Sequence, residues 1–171
     1  MRGRRRGGQA TIEFALLYGG VIIPLTFGMI YVSEMYWIWH SMVEFTRDGA
    51  RYAATHCFQS DTQNVVTYMQ THVPVNIDQA QFQTGGTAQI DVVYQQLDPS
   101  GTGLLGPMQC DGTCSTDCVP DAVTVSISNY QITWFVTYLN LPPVVLPPFP
   151  TSVSVQSNGC NGDNGSVVCN P

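Results

Sequence analysis

Arg4-Arg5-Arg6-Gly7-Gly8-Gln9-Ala10-Thr11-Ile12-Glu13-Phe14 joins a basic cluster to a small-residue break and then to an apolar run. From Phe14 to Ser33, twenty residues pass without a charged side chain. A helix of about twenty residues crosses a hydrocarbon core of roughly 30 Å. The run is too long for the apolar part of an ordinary secretory signal peptide, and no Ala-x-Ala-like cleavage site follows it. The sequence therefore predicts a retained membrane helix. Arg2, Arg4, Arg5 and Arg6 precede it, and the positive-inside tendency keeps them cytoplasmic and sends the rest of the chain outward. Tyr31, Tyr36, Trp37 and Trp39 suit the far headgroup layer, and Glu34 lies close enough to that surface to reach water.

Glu13 stands at the mouth of the apolar run, where an unpaired carboxylate is costly. Two readings stay open. In one, the nearby arginines or interfacial water neutralise it. In the other, the chain is cut after Gly8, Gln9 becomes the amino terminus, and Glu13 pairs with that amine or with a neighbour's. In a bundle of such helices the pair would set the axial register.

The pattern Gly8-Gln9-Ala10-Thr11-Ile12-Glu13-Phe14-Ala15-Leu16 resembles the type IV pilins, and more closely the TadE-like minor pilins, or pseudopilins, of tight-adherence systems. Pro24-Leu25, Phe27-Gly28 and Thr46-Arg47-Asp48-Gly49-Ala50-Arg51-Tyr52-Ala53-Ala54 continue the resemblance through the first third of the chain. It implies cleavage between Gly8 and Gln9 by a prepilin peptidase, and assembly contacts at Glu13 and Phe14. The partners it implies are other pilin subunits and an inner-membrane assembly platform. The latter two-thirds match only in general character, and six cysteines and a Pro-rich segment depart from the pattern.

Charge narrows the function classes. All six basic residues are Arg, set against twelve acids. Cleavage after Gly8 leaves Arg47 and Arg51 against those twelve, a formal net charge of −10. Such a domain has no electrostatic footprint for nucleic acid. Arg47 and Arg51 are candidates for a contact with an acidic neighbouring subunit; the alternative is that they only solvate the helix.

The helix is expected to continue past the membrane. Met42, Phe45, Gly49, Ala53 and Cys57 recur at helical spacing on one face. Glu44 with Arg47, and Asp48 with Arg51, stand three apart on the other. Pro24 removes one backbone hydrogen bond in mid-membrane and predicts a kink there. Gly19, Gly20 and Gly28 either admit a close neighbouring helix or reflect ordinary membrane-helix composition. Ser60-Asp61-Thr62-Gln63 reads as a capping box opening a short helix to about His72, which Pro74 ends. Val65, Val66 and Met69 form its apolar face.

Alternation then changes to period two. Ala88 to Tyr94, Val123 to Ser128 and Ser152 to Gln156 each predict a half-buried strand, and Val75 to Phe82 a short edge strand. Together these give an α+β protein: a long N-terminal membrane-spanning helix followed by a small antiparallel sheet domain with disulfides. The organisation reads as a cytoplasmic leader over 1–8, a membrane and stalk helix over 9–58, and an exported α+β domain over 59–171.

Cys57, Cys110, Cys114, Cys118, Cys160 and Cys169 all lie on the exported side. An even count in an oxidising compartment favours disulfides. Cys160 and Cys169 bracket a turn-rich segment and are expected to close a terminal loop. Cys57 is expected to join one of Cys110, Cys114 and Cys118, leaving a local last pair. A zinc site with His56 or His72 is the rival, but the cysteine spacing is not that of a zinc knuckle. Asp111, Asp117 and Asp121 crowd one loop and would suit calcium or simple solvation. Leu141 to Pro150, following Trp134, Phe135 and Tyr138, is either an exposed docking patch or a crossover packed on the sheet. The sequence carries no Gly-x-Ser-x-Gly, His-Glu-x-x-His or phosphate-binding Gly loop. The expectation is a structural protein without cofactor or metal. The rival is a signal-anchored exported binding module or adhesin whose helix is only a tether.

Overall fold

The computed structural model describes residues 8–98, 103, 105–110, 112, 115, 118–133, 140, 142–155, 160–161 and 168–169, the last four by backbone alone. Helix α1 (Gln9–Leu17) passes through a π-helical turn (Tyr18–Ile22) into α2 (Ile23–Thr55). Gly8 is the N-cap, so the helix opens at the Gly8/Gln9 junction. The widened turn ends just before Pro24. Proline has no N–H to donate to the carbonyl four residues back and its ring crowds that carbonyl, and a π turn re-spaces the ladder where the loss occurs. The expected irregularity is thus taken up by Tyr-Gly-Gly-Val-Ile, ahead of the proline.

The chain divides into two units, one ending at Trp37 and one beginning at Ile38. Burial explains where the division falls. No described residue of the helix before Ile38 is buried, whereas Ile38, Met42, Phe45, Thr46, Gly49, Ala50 and Ala53 are. The apolar stripe expected on α2 is therefore the face that the domain covers, and Cys57 is fully buried beyond its end.

Helix α3 (Gln63–Thr71) returns against α2. Gly49 permits the close approach, since a Cβ there would lie 2.5 Å from Met69 Sδ. Val65 and Met69 are buried as expected. The capping box does not form. Thr62 is the N-cap, in the left-handed region at φ 57°, and makes no side-chain cap. The Gln63 N–H donates instead to the Asp61 carboxylate at 3.2 Å. The expected edge strand over 75–82 is also absent. Asp78 accepts from Ala80 N–H and caps a 3-10 turn over Gln79–Phe82.

The main sheet runs β2-β1-β3-β6, antiparallel throughout. Its strands are β1 (Gln89–Leu97), β2 (Leu105–Pro107), β3 (Ala122–Ser128) and β6 (Phe149–Ser154). Three were legible from alternation; β2, with three residues, is too short to show a period. Val123, Val125 and Ile127 supply the buried face. Thr46 joins that face to α2: its hydroxyl donates to the Val43 carbonyl at 2.8 Å and accepts from Thr151 at 3.1 Å. Asp121 closes the far end. Its carboxylate accepts from Leu97 N–H at 2.7 Å, its N–H donates to Gln95 O, and its carbonyl accepts from Val155 N–H.

A two-stranded ribbon pairs β4 (Gln131–Ile132) with β5 (Val144–Val145). Buried Gln81 is fully satisfied beside it. Its Oε1 accepts from Gln131 N–H at 2.8 Å and from Thr87, while its Nε2 donates to the Gln131 carbonyl at 2.8 Å and to Asp78. The side chain thus stands in for a strand residue beside β4.

Candidate functional site

The candidate assembly element is the helix from Gln9. With the π turn included, Gln9–Thr55 is 47 residues long and is long and apolar enough to cross a membrane. Ile12, Phe14, Leu16, Leu17, Val21, Leu25, Phe27, Met29 and Ile30 are all exposed, so the apolar surface points in every direction. Two hydroxyls inside the run bond within the helix: Thr26 donates to the Ile23 carbonyl and Ser33 to the Met29 carbonyl, both at 2.8 Å. This removes the penalty of an unpaired hydroxyl in lipid.

Glu13 lies one turn into α1, where Gln9 Nε2 donates to its Oε1 at 3.4 Å. The helix geometry therefore brings the residue at position 9 within reach of the carboxylate. Phe14 stacks on Tyr18, with ring centroids 6.1 Å apart. The arginine leader lies outside the described residues.

Arg47 and Arg51 occupy the exposed side of α2. Arg47 pairs with Glu44 at 2.6 Å and Arg51 with Asp48 at 3.9 Å. Exposed pairs of this kind contribute at most about 1 kcal/mol, so both guanidiniums can be drawn into another contact at little cost.

Cys110 and Cys118 form a disulfide, the local pair expected of that loop. Cys57 is also disulfide-bonded, and its partner is therefore neither of those two. Cys114 lies outside the described residues. The backbone register sets Cys160 directly across from Cys169 in the β7–β8 ribbon (Cys160–Asn161 with Val168–Cys169), where a closed terminal loop was expected; their side chains lie outside the described residues. Oxidation of Cys57, Cys110 and Cys118 removes the thiolates a zinc site would need. Asp121 is engaged in the sheet, and Asp111 and Asp117 lie outside the described residues. Among the described residues no three metal-binding groups cluster.

Sequence reasoning missed an aromatic column. Tyr52 and Tyr68 stack face to face across the α2–α3 pair at 3.9 Å. His56 stacks on Tyr52 at 3.7 Å and His72 on Tyr68 at 4.3 Å. Each imidazole donates from Nδ1 to the carbonyl of its own tyrosine, at 3.0 and 2.9 Å. The signal was available as a repeat: Tyr52-Ala53-Ala54-Thr55-His56 and Tyr68-Met69-Gln70-Thr71-His72 share Tyr-x-x-Thr-His. Both histidines thereby add a second donor to a last-turn carbonyl that already accepts their own backbone N–H.

A groove of about 540 Å³ lies between the loop after α2 and the β1–β2 edge, lined by Phe58, Ser60, Thr62, Tyr94, Met108 and Cys110 among others. Tyr94 is its one titratable side chain outside the disulfide. Burial, and secondarily Tyr52, push the Tyr94 phenol up to about 12.

Residues 8–51 match the family model described as TadE-like protein. The match covers the helix from its N-cap to the second arginine of α2 and supports a TadE-like, pilin-related protein. No curated protein and no solved structure matches the chain.

Proposed function

We propose that the chain is a minor pilin, or pseudopilin, taking part in assembly or initiation of a type IVb/Tad pilus or a related secretion apparatus. One observation carries the reading: a TadE-like helix that opens at the Gly8/Gln9 junction and keeps its apolar surface unburied up to Ile38. A tether needs only to cross the bilayer. A helix free on all sides, with a carboxylate one turn from its start, is suited to packing laterally among similar helices.

In this account a prepilin peptidase cuts after Gly8 on the cytoplasmic face. The new Gln9 amine then replaces the Gln9 amide as the partner of Glu13, on its own chain or a neighbour's. The helix joins other pilin subunits at the inner-membrane platform, and Arg47 and Arg51 exchange their weak local pairs for acids on an adjacent subunit. The exported domain stays outside the membrane, without catalysis or cofactor. Glu13→Ala tests this: pilus assembly is expected to fail while the protein still inserts in the membrane. Assembly at the unaltered level would leave the helix as a mere anchor and favour the binding-module reading.

A further inference from the structure

Strand β1 has a neighbour along only part of one edge. In an antiparallel ladder each residue turns its N–H and C=O to the same side, and successive residues alternate. The Gln95 carbonyl accepts from Asp121 N–H, so the odd-numbered residues of β1 face β3. The even-numbered ones face away. Ala88 N–H, just before the strand, donates to the Gln81 carbonyl at 3.0 Å, and the Tyr94 carbonyl accepts from Met108 N–H at 3.3 Å. β2 pairs with β1 over Gln95–Leu97 alone. Between these contacts Ile90 and Val92 each turn an N–H and a C=O outward, and neither has a backbone partner on that side among the described residues.

The groove beside the loop after α2 runs along this edge. Val92 and Val93 both line it. Neighbours on a strand point to opposite faces of the sheet, so both can border one space only where it follows the strand's edge. Phe58 and Tyr94, packed edge-on, also line it. Tyr94 is 6% exposed, and its hydroxyl has no hydrogen-bond partner. An open backbone edge, apolar side chains and an unsatisfied hydroxyl therefore meet in one place. An edge of this kind is a template for a further strand.

Charge says whose strand it takes. The residues lining the groove are uncharged. Asp61 stands between Ser60 and Thr62 of the lining and Asp91 stands next to Val92, and both are exposed. From Ile38 onward the chain has ten acids, and its only cations there are Arg47 and Arg51, each already facing an acid on α2. Acidic rims repel a second copy of so acidic a domain and favour a cationic segment. We propose that the open edge of β1 and the groove beside it form a docking site for an extended segment of a partner protein, with alternating apolar and hydroxyl side chains and Lys or Arg at its flanks. The incoming strand takes up the outward N–H and C=O groups of Ile90 and Val92 and lays a side chain in the groove beside the Tyr94 hydroxyl. The site needs only the fold of the unit beginning at Ile38 and does not depend on assembly into a pilus.

The probe is the end-capped peptide Lys-Val-Thr-Val-Thr-Val-Lys, added to the full chain in detergent micelles, with Glu-Val-Thr-Val-Thr-Val-Glu as the charge-reversed control. Strand addition draws its affinity from the backbone, so a generic alternating sequence suffices. Fluorescence anisotropy of the labelled peptides reads binding, and residue-resolved amide exchange reads its place. The expected result is saturable binding of the Lys peptide, several-fold weaker binding of the Glu peptide, and slowed exchange at Ile90 and Val92. Val93→Arg alters a position that is 50% exposed and should weaken the Lys peptide several-fold at unchanged thermal stability. If that variant does not fold, Asp91→Asn serves instead and should narrow the gap between the two peptides. Absence of saturable binding overturns the site, as does slowed exchange confined to other residues. Equal affinity for the two peptides, or a variant without effect, overturns the cationic partner. Slowing at Ile90 and Val92 that arises without peptide and grows with protein concentration overturns it in favour of a second copy.

Discussion

Tyr94 shows how a single atom can be costly. Its hydroxyl is buried with no hydrogen-bond partner among the described residues, while its ring packs edge-on against Phe58 at 4.9 Å. Tyr94→Phe keeps the ring and removes the orphan oxygen, so thermal denaturation at neutral pH should show a stability unchanged or raised by about 1 kcal/mol. Alkali separates the two proteins. The folded phenol ionises at about 12, above the ordinary value of 10.0. The unfolded chain therefore gives up its proton first. The stability tied to this group is whole below about pH 10 and is lost as the pH climbs towards 12. Relative to Tyr94→Phe, the native protein should lose on the order of 2–3 kcal/mol over that window, read by denaturant titration at stepped pH. Parallel stability curves would contradict the burial argument.

Gly49 makes the opposite case, an absent atom that is required. Met69 is fully buried, so its thioether must repack within the core to clear an added Cβ. Gly49→Ala is expected to lower stability by about 1–3 kcal/mol, and pairing it with Met69→Ala should recover part of that loss in a double-mutant cycle. The sequence marked Gly49 as one more small residue on an apolar face. That a methionine on the next helix fills the space was not legible, because helical periodicity identifies a face and not what lies against it.

Among the elements, the long helix and the three longer strands were readable because each repeats its own period for several turns or residues. The failures were local contests between competing caps. Ser60 and Gln63 have the spacing of a capping box, but Asp61 offers a charged acceptor to the same N–H, and a carboxylate is the stronger acceptor. Val75 to Phe82 alternates weakly, and Asp78 turns it into a 3-10 segment by capping it. The Tyr-x-x-Thr-His column is an element-scale device too. Its two halves come from different helices, so its stacking is lost as a unit. Tyr68→Ala should destabilise the domain by about 2 kcal/mol, measured by chemical denaturation. A change within about 0.5 kcal/mol, the usual range for a surface position, would show that the column contributes nothing to the α2–α3 pair.

At the scale of the whole molecule, the long apolar helix follows from the end of charge at Phe14 and its return at Glu34, and the small antiparallel sheet from the two-residue alternation that begins near Ala88. The candidate site is proposed from one short stretch, Gly8 to Phe14, and one helical turn brings Gln9 within reach of Glu13. Contacts between distant segments were not readable. The Trp39–Phe149 pair and the Gln81 bridge to β4 join residues separated by 110 and 50 positions, and no local pattern announces them. The distribution of burial also belongs to this scale. The unit before Ile38 buries none of its described residues, and the core lies in the unit after it.

Mass spectrometry of the membrane-extracted protein tests the central claim most directly. The account predicts a mature chain whose first residue is Gln9, with the apolar helix retained. A chain that still begins at Met1, or one cut at any other bond, would contradict it.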